Sequence, residues 1–114
     1  MATKQFILSG TSDDPLNTET QYSNLMGDGV TLWNQTEVSR RGVVSTPGKL
    51  SNFKVGIAVA PGAGKSWAFT VRKNGAATAL SVTIADSAVL SSLDIDEVIV
   101  AAGDLVGIEA IPSG

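Results

Sequence analysis

Apolar and polar residues alternate with a period of two through most of residues 48–111, and no apolar stripe of helical spacing interrupts them. In the clearest part, the apolar positions are Trp67, Phe69 and Val71 before the pair Asn74-Gly75, and Leu80, Val82 and Ile84 after it. Alternation on both sides of Asn-Gly is a strong hairpin signal, because both residues tolerate the positive φ angles of a type I′ turn. The pattern predicts a β-hairpin, with either a two-residue turn or a slightly longer loop.

Further strands are predicted on both sides of this hairpin. Short apolar runs between turn residues place them at 4–9, 30–33, 37–44, 50–59, 88–90, 95–100 and 105–111, with an irregularity near Ser51-Asn52. Turn signals spaced about 8–12 residues apart are typical of all-β sandwiches. We therefore predict an all-β fold, a jelly-roll-like antiparallel β-sandwich of about 8 strands. The chain is expected to form one domain, with an N-terminal strand and polar arm over 1–24 and the sandwich over 25–114.

The composition excludes several function classes. The chain has 114 residues, no Cys and no His, so disulfides, thiolate chemistry and histidine catalysis are absent. Its net charge is −3 and its largest basic cluster is Arg40-Arg41, which argues against nucleic-acid binding. No apolar run is long enough to span a membrane, and the N-terminus lacks a signal-peptide pattern. We expect a non-enzymatic protein without a cofactor, made in a cytoplasm and used without export.

Residues 60–66 resemble the end of a phosphate-binding P-loop. The full motif needs a glycine five residues before Gly64, where this chain has Val59. It also needs a following helix whose N-terminal amides hold phosphate, but a strand pattern begins at Trp67. The favoured interpretation is a glycine-containing loop with a solvated Lys65.

Acidic residues gather at Asp94, Asp96 and Glu97. Carboxylate clusters can bind calcium, although this one lacks the spacing and glycine of an EF-hand loop. A solvated loop is the favoured interpretation, and no metal site is predicted. Whether a calcium ion lies near Asp94 and Asp96 stays open.

Candidate partner contacts lie mainly in the polar arm over residues 10–24, whose composition cannot build a core. Trp67 is in phase with the core positions of its strand, whereas Trp33 and Tyr22 are less constrained and suit an interface. Arginine is enriched at interfaces, which adds the Arg40-Arg41 pair. The candidates are Thr11, Asp13, Asp14, Asn17, Tyr22, Trp33, Arg40 and Arg41.

Three segments of the second half, 50–55, 67–75 and 98–106, form a pattern of a strand, an Asn-Gly hairpin and a "strand, Gly-Asp, strand" unit. This pattern resembles small phage virion proteins with a jelly-roll, C1q- or TNF-like layout, in particular tailed-phage capsid decoration (cement) proteins. The resemblance covers about residues 45–112, and residues 1–44 match no named pattern. It implies a homotrimer that binds the major capsid protein on the outer surface of the virion after synthesis in the host cytoplasm.

Two alternatives come from other function classes. A receptor- or glycan-binding head of a phage tail fibre or spike would also be a trimeric β module, and an exposed Trp33 or Tyr22 in a groove would favour it. Such heads usually follow a fibrous stem, which this sequence lacks. A small hydrolase or lyase on the same fold would need a pocket with two facing carboxylates.

Overall fold

The structure is a computed structural model that describes residues 19–25 and 33–114. Within these ranges the chain forms seven β-strands and one short 3-10 turn, Glu37–Arg40, and none of its helices is long and apolar enough to cross a membrane. The strands are β1 (Gln21–Ser23), β2 (Gly42–Val43), β3 (Gly48–Phe53), β4 (Gly62–Lys73), β5 (Ala76–Asp86), β6 (Asp94–Val100) and β7 (Leu105–Ser113). The predicted strand at 4–9 and most of that at 30–33 lie outside the described residues.

The strands form two antiparallel sheets, which confirms the predicted all-β sandwich class. The larger sheet has the order β1-β7-β4-β5, with β2 also paired to β7, and the smaller sheet pairs β3 with β6. The predicted core positions around the hairpin are buried, and Trp67, for example, is 5% exposed. The core residues are Trp67, Phe69, Val71, Leu80, Val82, Ile84, Val98, Val100, Val106 and Ala110.

The smaller sheet continues beyond its regular strands. The Ile57 amide donates to the Val89 carbonyl at 2.8 Å, and the Ser91 amide donates to the Val55 carbonyl at 2.8 Å. The buried Ser91 hydroxyl also accepts the Val55 amide at 2.9 Å. Residues 48–57 and 89–100 therefore form one long two-stranded layer, which we call the ribbon. It covers the inner face of the larger sheet.

The predicted hairpin joins β4 to β5 through a two-residue turn. Lys73 pairs with Ala76, and the turn residues Asn74 and Gly75 have φ angles of 52° and 81°. The Asn74 side chain donates to Asp104 Oδ1 at 3.0 Å and accepts the Leu105 amide at 2.9 Å. The hairpin tip is therefore bonded to the Gly-Asp turn that leads from β6 to β7.

Two other local predictions have different outcomes. The irregularity near Ser51-Asn52 is confirmed, since the β3–β6 register shifts there and Asn52 has a φ of 56°. The continuous strand predicted over 37–44 is wrong, because residues 37–40 form a 3-10 turn and only Gly42–Val43 pair with β7. The turn is held locally by Ser39, whose hydroxyl donates to the Thr36 carbonyl at 2.8 Å.

The P-loop-like segment is a bulge at the start of β4. Gly62 and Gly64 have φ angles of 105° and 75°, and the register with β5 shifts between Gly62 and Ser66. The Gly64 amide donates to Asp86 Oδ1 at 2.9 Å. A strand follows this segment where a P-loop needs a helix, so its glycines serve backbone geometry.

Candidate functional site

A cluster of charged side chains lies on the outer face of the larger sheet. Strand alternation places Arg72 and Glu109 on the side opposite the buried Val71 and Ala110. The 3-10 turn brings Glu37 to the same place, and Arg41 follows directly after the turn. The charged cluster consists of Tyr22, Glu37, Arg41, Arg72 and Glu109.

Arg72 is at the centre of the charged cluster. Its Nε and Nη2 donate to Glu37 Oε1 and Oε2 at 3.2 and 3.1 Å, a bidentate pair. Nη2 also donates to the Gly75 carbonyl at 2.7 Å, and Nη1 lies 3.8 Å from Glu109 Oε2. The hydrogen bond to Glu37 raises the pKa of Arg72 above its ordinary value. This arginine therefore links the 3-10 turn, the hairpin tip and β7.

Tyr22 joins β1 to this cluster. Its hydroxyl donates to Glu109 Oε2 at 3.2 Å, and its ring centroid lies 5.9 Å from the Arg72 guanidinium carbon. Burial raises the pKa of Tyr22, and the nearby Glu109 carboxylate raises it further. The phenol therefore stays protonated as a donor at neutral pH.

The two neighbouring arginines have different environments. Arg41 Nη2 lies 3.8 Å from Glu37 Oε1, and its buried Nε has no hydrogen-bond partner in the described part of the chain. Arg40 instead donates to the Ser39 carbonyl at 3.0 Å. Arg41 belongs to the charged cluster, in which Arg41 and Arg72 lie beside Glu37 and Glu109. The carboxylates are engaged by cations and a phenol, so the arrangement connects the 3-10 turn with strands β1, β4 and β7.

Among the remaining sequence candidates, only Trp33 and Arg40 lie in the described part of the chain. Trp33 is half-buried and packs against the core, with its ring centroid 6.0 Å from that of Phe69. Thr11, Asp13, Asp14 and Asn17 lie outside the described residues. The structure therefore brings together Tyr22 and Arg41 among the predicted contacts, and adds Glu37, Arg72 and Glu109. In the sequence, alternation with Phe69 and Val71 indicates an outward position for Arg72 but gives no partner for it.

The outer face of the ribbon has a different character. Leu90, Leu93, Ile95 and Ile99 are 58%, 51%, 73% and 68% exposed along one strand of the ribbon. Beside them, Lys49 Nζ lies 3.3 Å from Glu97 Oε2 in an exposed ion pair. We call this surface the ribbon outer face. The sequence signal for it is the unbroken apolar run 98–100, since a strand that is apolar on both faces is typically covered on both.

The Asp94 carboxylate accepts hydrogen bonds from two backbone amides. Asp94 Oδ2 accepts the Ser81 amide at 2.8 Å, and Oδ1 accepts the Asp96 amide at 2.9 Å. These hydrogen bonds lower the pKa of Asp94, while its charge raises the pKa of Asp96. In the described ranges, no three or more Asp, Glu, His or Cys residues are grouped to hold a metal ion. Asp94 therefore joins the edge strand β5 to the start of β6.

No family model, curated protein or solved structure matches this chain. Its function must therefore be inferred from its own surfaces.

Proposed function

We propose that this protein is a virion structural protein, a capsid decoration (cement) protein that binds the outer capsid lattice and stabilises the head. The observation that carries this proposal is the ribbon outer face, a long apolar strip on a small all-β module. Exposed apolar strips of this kind mark contact surfaces. The sequence resemblance to decoration proteins supplies the class of partner, the major capsid protein on the surface of the virion.

The proposed mechanism is clamping without catalysis. A bound copy contacts neighbouring capsid subunits, so a subunit can leave only after contacts to several neighbours are lost. The proposal includes the homotrimer that the resemblance implies, because three linked copies multiply these contacts. The required properties are buried area and shape complementarity rather than reactive groups.

The charged cluster fits this proposal as the anchor of the predicted contact arm. β1 pairs with β7 at Tyr22 and Glu109, and the Tyr22 hydroxyl binds the same glutamate. The end of the arm is thus fixed to the larger sheet. Contacts by the earlier arm residues Thr11, Asp13, Asp14 and Asn17 remain predictions.

The glycan-binding alternative needs an exposed aromatic ring in a groove. The Tyr22 ring lies beside Arg72, and Trp33 packs against Phe69. Both aromatic candidates thus have contacts within the protein. We therefore do not propose a glycan-binding function.

Co-sedimentation of the purified protein with undecorated phage heads tests the proposal. We expect the wild type to pellet with heads, and a variant lacking residues 1–18 to pellet less while keeping its β-sheet circular dichroism. A wild type that stays in the supernatant at every head concentration would contradict the decoration function. Equal pelleting of the truncated variant would remove the arm from the contact surface.

A further inference from the structure

We propose that Asn74, in the turn between β4 and β5, is a site of spontaneous deamidation that the folded hairpin tip keeps unreactive. Once it occurs, the reaction releases the tip from the Gly-Asp turn that leads from β6 to β7. Water is the only co-reactant, and no enzyme or cofactor takes part. This inference concerns the protein alone and does not rest on the decoration function.

The chemistry belongs to the pair Asn74-Gly75. The Gly75 backbone nitrogen attacks Cγ of Asn74, and the new C–N bond closes a cyclic imide. The bond from Cγ to Nδ2 breaks, and Nδ2 leaves as ammonia with the proton of the Gly75 amide. Water then opens the imide at either carbonyl, which leaves an aspartate or an isoaspartate. A following glycine favours the attack because it has no Cβ beside the nucleophilic nitrogen, and Asn74 is the only asparagine of the sequence that precedes a glycine.

The backbone conformation of the tip separates the two reacting atoms. Lys73 pairs with Ala76, and Asn74 and Gly75 have φ angles of 52° and 81°, as in a type I′ turn. In such a turn ψ of the first residue is about +30°, so the Gly75 nitrogen points away from the Asn74 Cβ across the Cα–C bond. Ring closure requires that nitrogen and Cβ on the same side of the bond. The asparagine must therefore leave the turn conformation before it can react.

Three hydrogen bonds hold Asn74 in this conformation. Its backbone amide donates to the Leu105 carbonyl at 2.7 Å, and its side-chain oxygen accepts the Leu105 amide at 2.9 Å. Its Nδ2, the leaving group, donates to Asp104 Oδ1 at 3.0 Å. Asn74 is nevertheless exposed, so water reaches it as soon as the tip opens. The site is therefore protected by geometry rather than by burial.

Deamidation would turn the contact with Asp104 into a repulsive one. The carboxylate created at position 74 has an oxygen in place of Nδ2, where Asp104 Oδ1 lies 3.0 Å away, so two charged acceptors face each other. Asp104 cannot turn away without a further loss, because its Oδ2 accepts the Ala101 amide at 2.8 Å. An isoaspartate also lengthens the main chain inside the tight turn. Either product should release the tip, and neither reverts to asparagine.

Incubation of the purified protein at mildly alkaline pH, followed by peptide mass spectrometry of residue 74, tests the protection. We expect the folded wild type to deamidate about tenfold more slowly than the urea-unfolded chain, because only opening of the tip allows the reaction. Asp104→Ala should raise the folded-state rate severalfold. The control Asp96→Ala should not, because the Asp96 carboxylate interacts with Asp94 near the start of β6. Equal rates for folded and unfolded wild type, or for folded wild type and Asp104→Ala, would overturn the proposal.

An exchange of the two side chains tests the release of the tip. Asn74→Asp reproduces one product and should lower the thermal unfolding temperature, since two carboxylates then meet. Asn74→Asp combined with Asp104→Asn places a donor opposite an acceptor again, because the new amide can donate to position 74 while its oxygen accepts the Ala101 amide. We expect the double variant to recover most of the loss. A double variant no more stable than Asn74→Asp alone would overturn the proposed release.

Discussion

The two outer faces of this sandwich use their side chains in opposite ways. On the larger sheet, Arg72, Glu37 and Glu109 satisfy one another, and Tyr22 completes the group. On the ribbon, Ile95 and Ile99 face outward with a single exposed ion pair between the strands. The side chains on the larger sheet thus have their partners within the chain. The ribbon instead exposes apolar surface that a partner molecule could cover.

This difference shows why charge content alone does not identify a binding surface. The charged cluster holds half-buried ions whose partners lie within the chain, so it contributes to the fold. The ribbon outer face contributes little to the isolated fold, because its side chains remain in water. Stability measurements and association measurements should therefore separate the two faces.

The largest expected loss in the free energy of unfolding comes from a substitution on the inner face that the two sheets share. Phe69→Ala removes a ring that is 1% exposed and should lower the free energy of unfolding by about 3–5 kcal/mol. Ile99→Ala on the ribbon outer face should change it by less than about 0.5 kcal/mol at low protein concentration. Urea denaturation measures both values. A cost for Ile99→Ala close to that of Phe69→Ala would mean that Ile99 is packed within one chain.

The ion pairs of the two faces offer a direct comparison. Arg72→Met leaves Glu109 without a cation and Glu37 with only the 3.8 Å contact to Arg41. It should cost about 2 kcal/mol, because Arg72, Glu37 and Glu109 are only 17%, 17% and 11% exposed. Lys49→Met breaks a pair that is 63% and 57% exposed and should cost less than about 0.5 kcal/mol. Equal losses in urea denaturation would show that the charged cluster does not stabilise the larger sheet.

The hairpin tip is bonded to the turn between β6 and β7, and its loss should have an intermediate effect on stability. Asn74→Ala removes two side-chain hydrogen bonds, to Asp104 and from Leu105, and also leaves alanine at positive φ. Asn52→Ala is the matched control, because Asn52 has a similar φ of 56° in the β3 bulge. We expect thermal unfolding to show Asn74→Ala to be less stable than Asn52→Ala by about 1 kcal/mol. No difference between them would contradict a role for the side-chain bonds.

The smallest expected effect is a pH dependence of stability that arises from Asp104, in the turn to which the hairpin tip is bonded. The Ala101 amide and the Asn74 side chain hold the pKa of Asp104 below its ordinary value of 3.8. The ionised carboxylate therefore stabilises the fold above this value, and the contribution is lost as the pH falls through the lower folded-state pKa. The stability gap between wild type and Asp104→Asn should be constant near neutral pH and shrink below about pH 4. A gap that does not change with pH would contradict this linkage.

The sequence predicted the hairpin and the all-β class because alternation and turn residues are signals that lie within a few residues of one another. Alternation around Asn74-Gly75 specified both the strands and the turn type. The strand predicted over 37–44 is wrong at residues 37–40, and the partner of Glu37 there, Arg72, lies 35 residues away in sequence, beyond the reach of a local pattern. Tyr22 and Glu109 are 87 residues apart, and no periodicity could pair them. The ribbon outer face was not predicted, because the exposure of Ile95 and Ile99 depends on which layer lies outside, and alternation within one strand does not specify this.

A labelling measurement tests most directly whether the two faces differ in this way. The chain has no cysteine, so Ser51→Cys on the ribbon and Ser81→Cys on the larger sheet each offer one thiol to a bulky maleimide. We expect labelled Ser51→Cys to pellet less with undecorated phage heads than the unlabelled variant, and labelled Ser81→Cys to pellet like the wild type. Equal pelleting of the two labelled variants would contradict the assignment of the ribbon outer face as the contact surface.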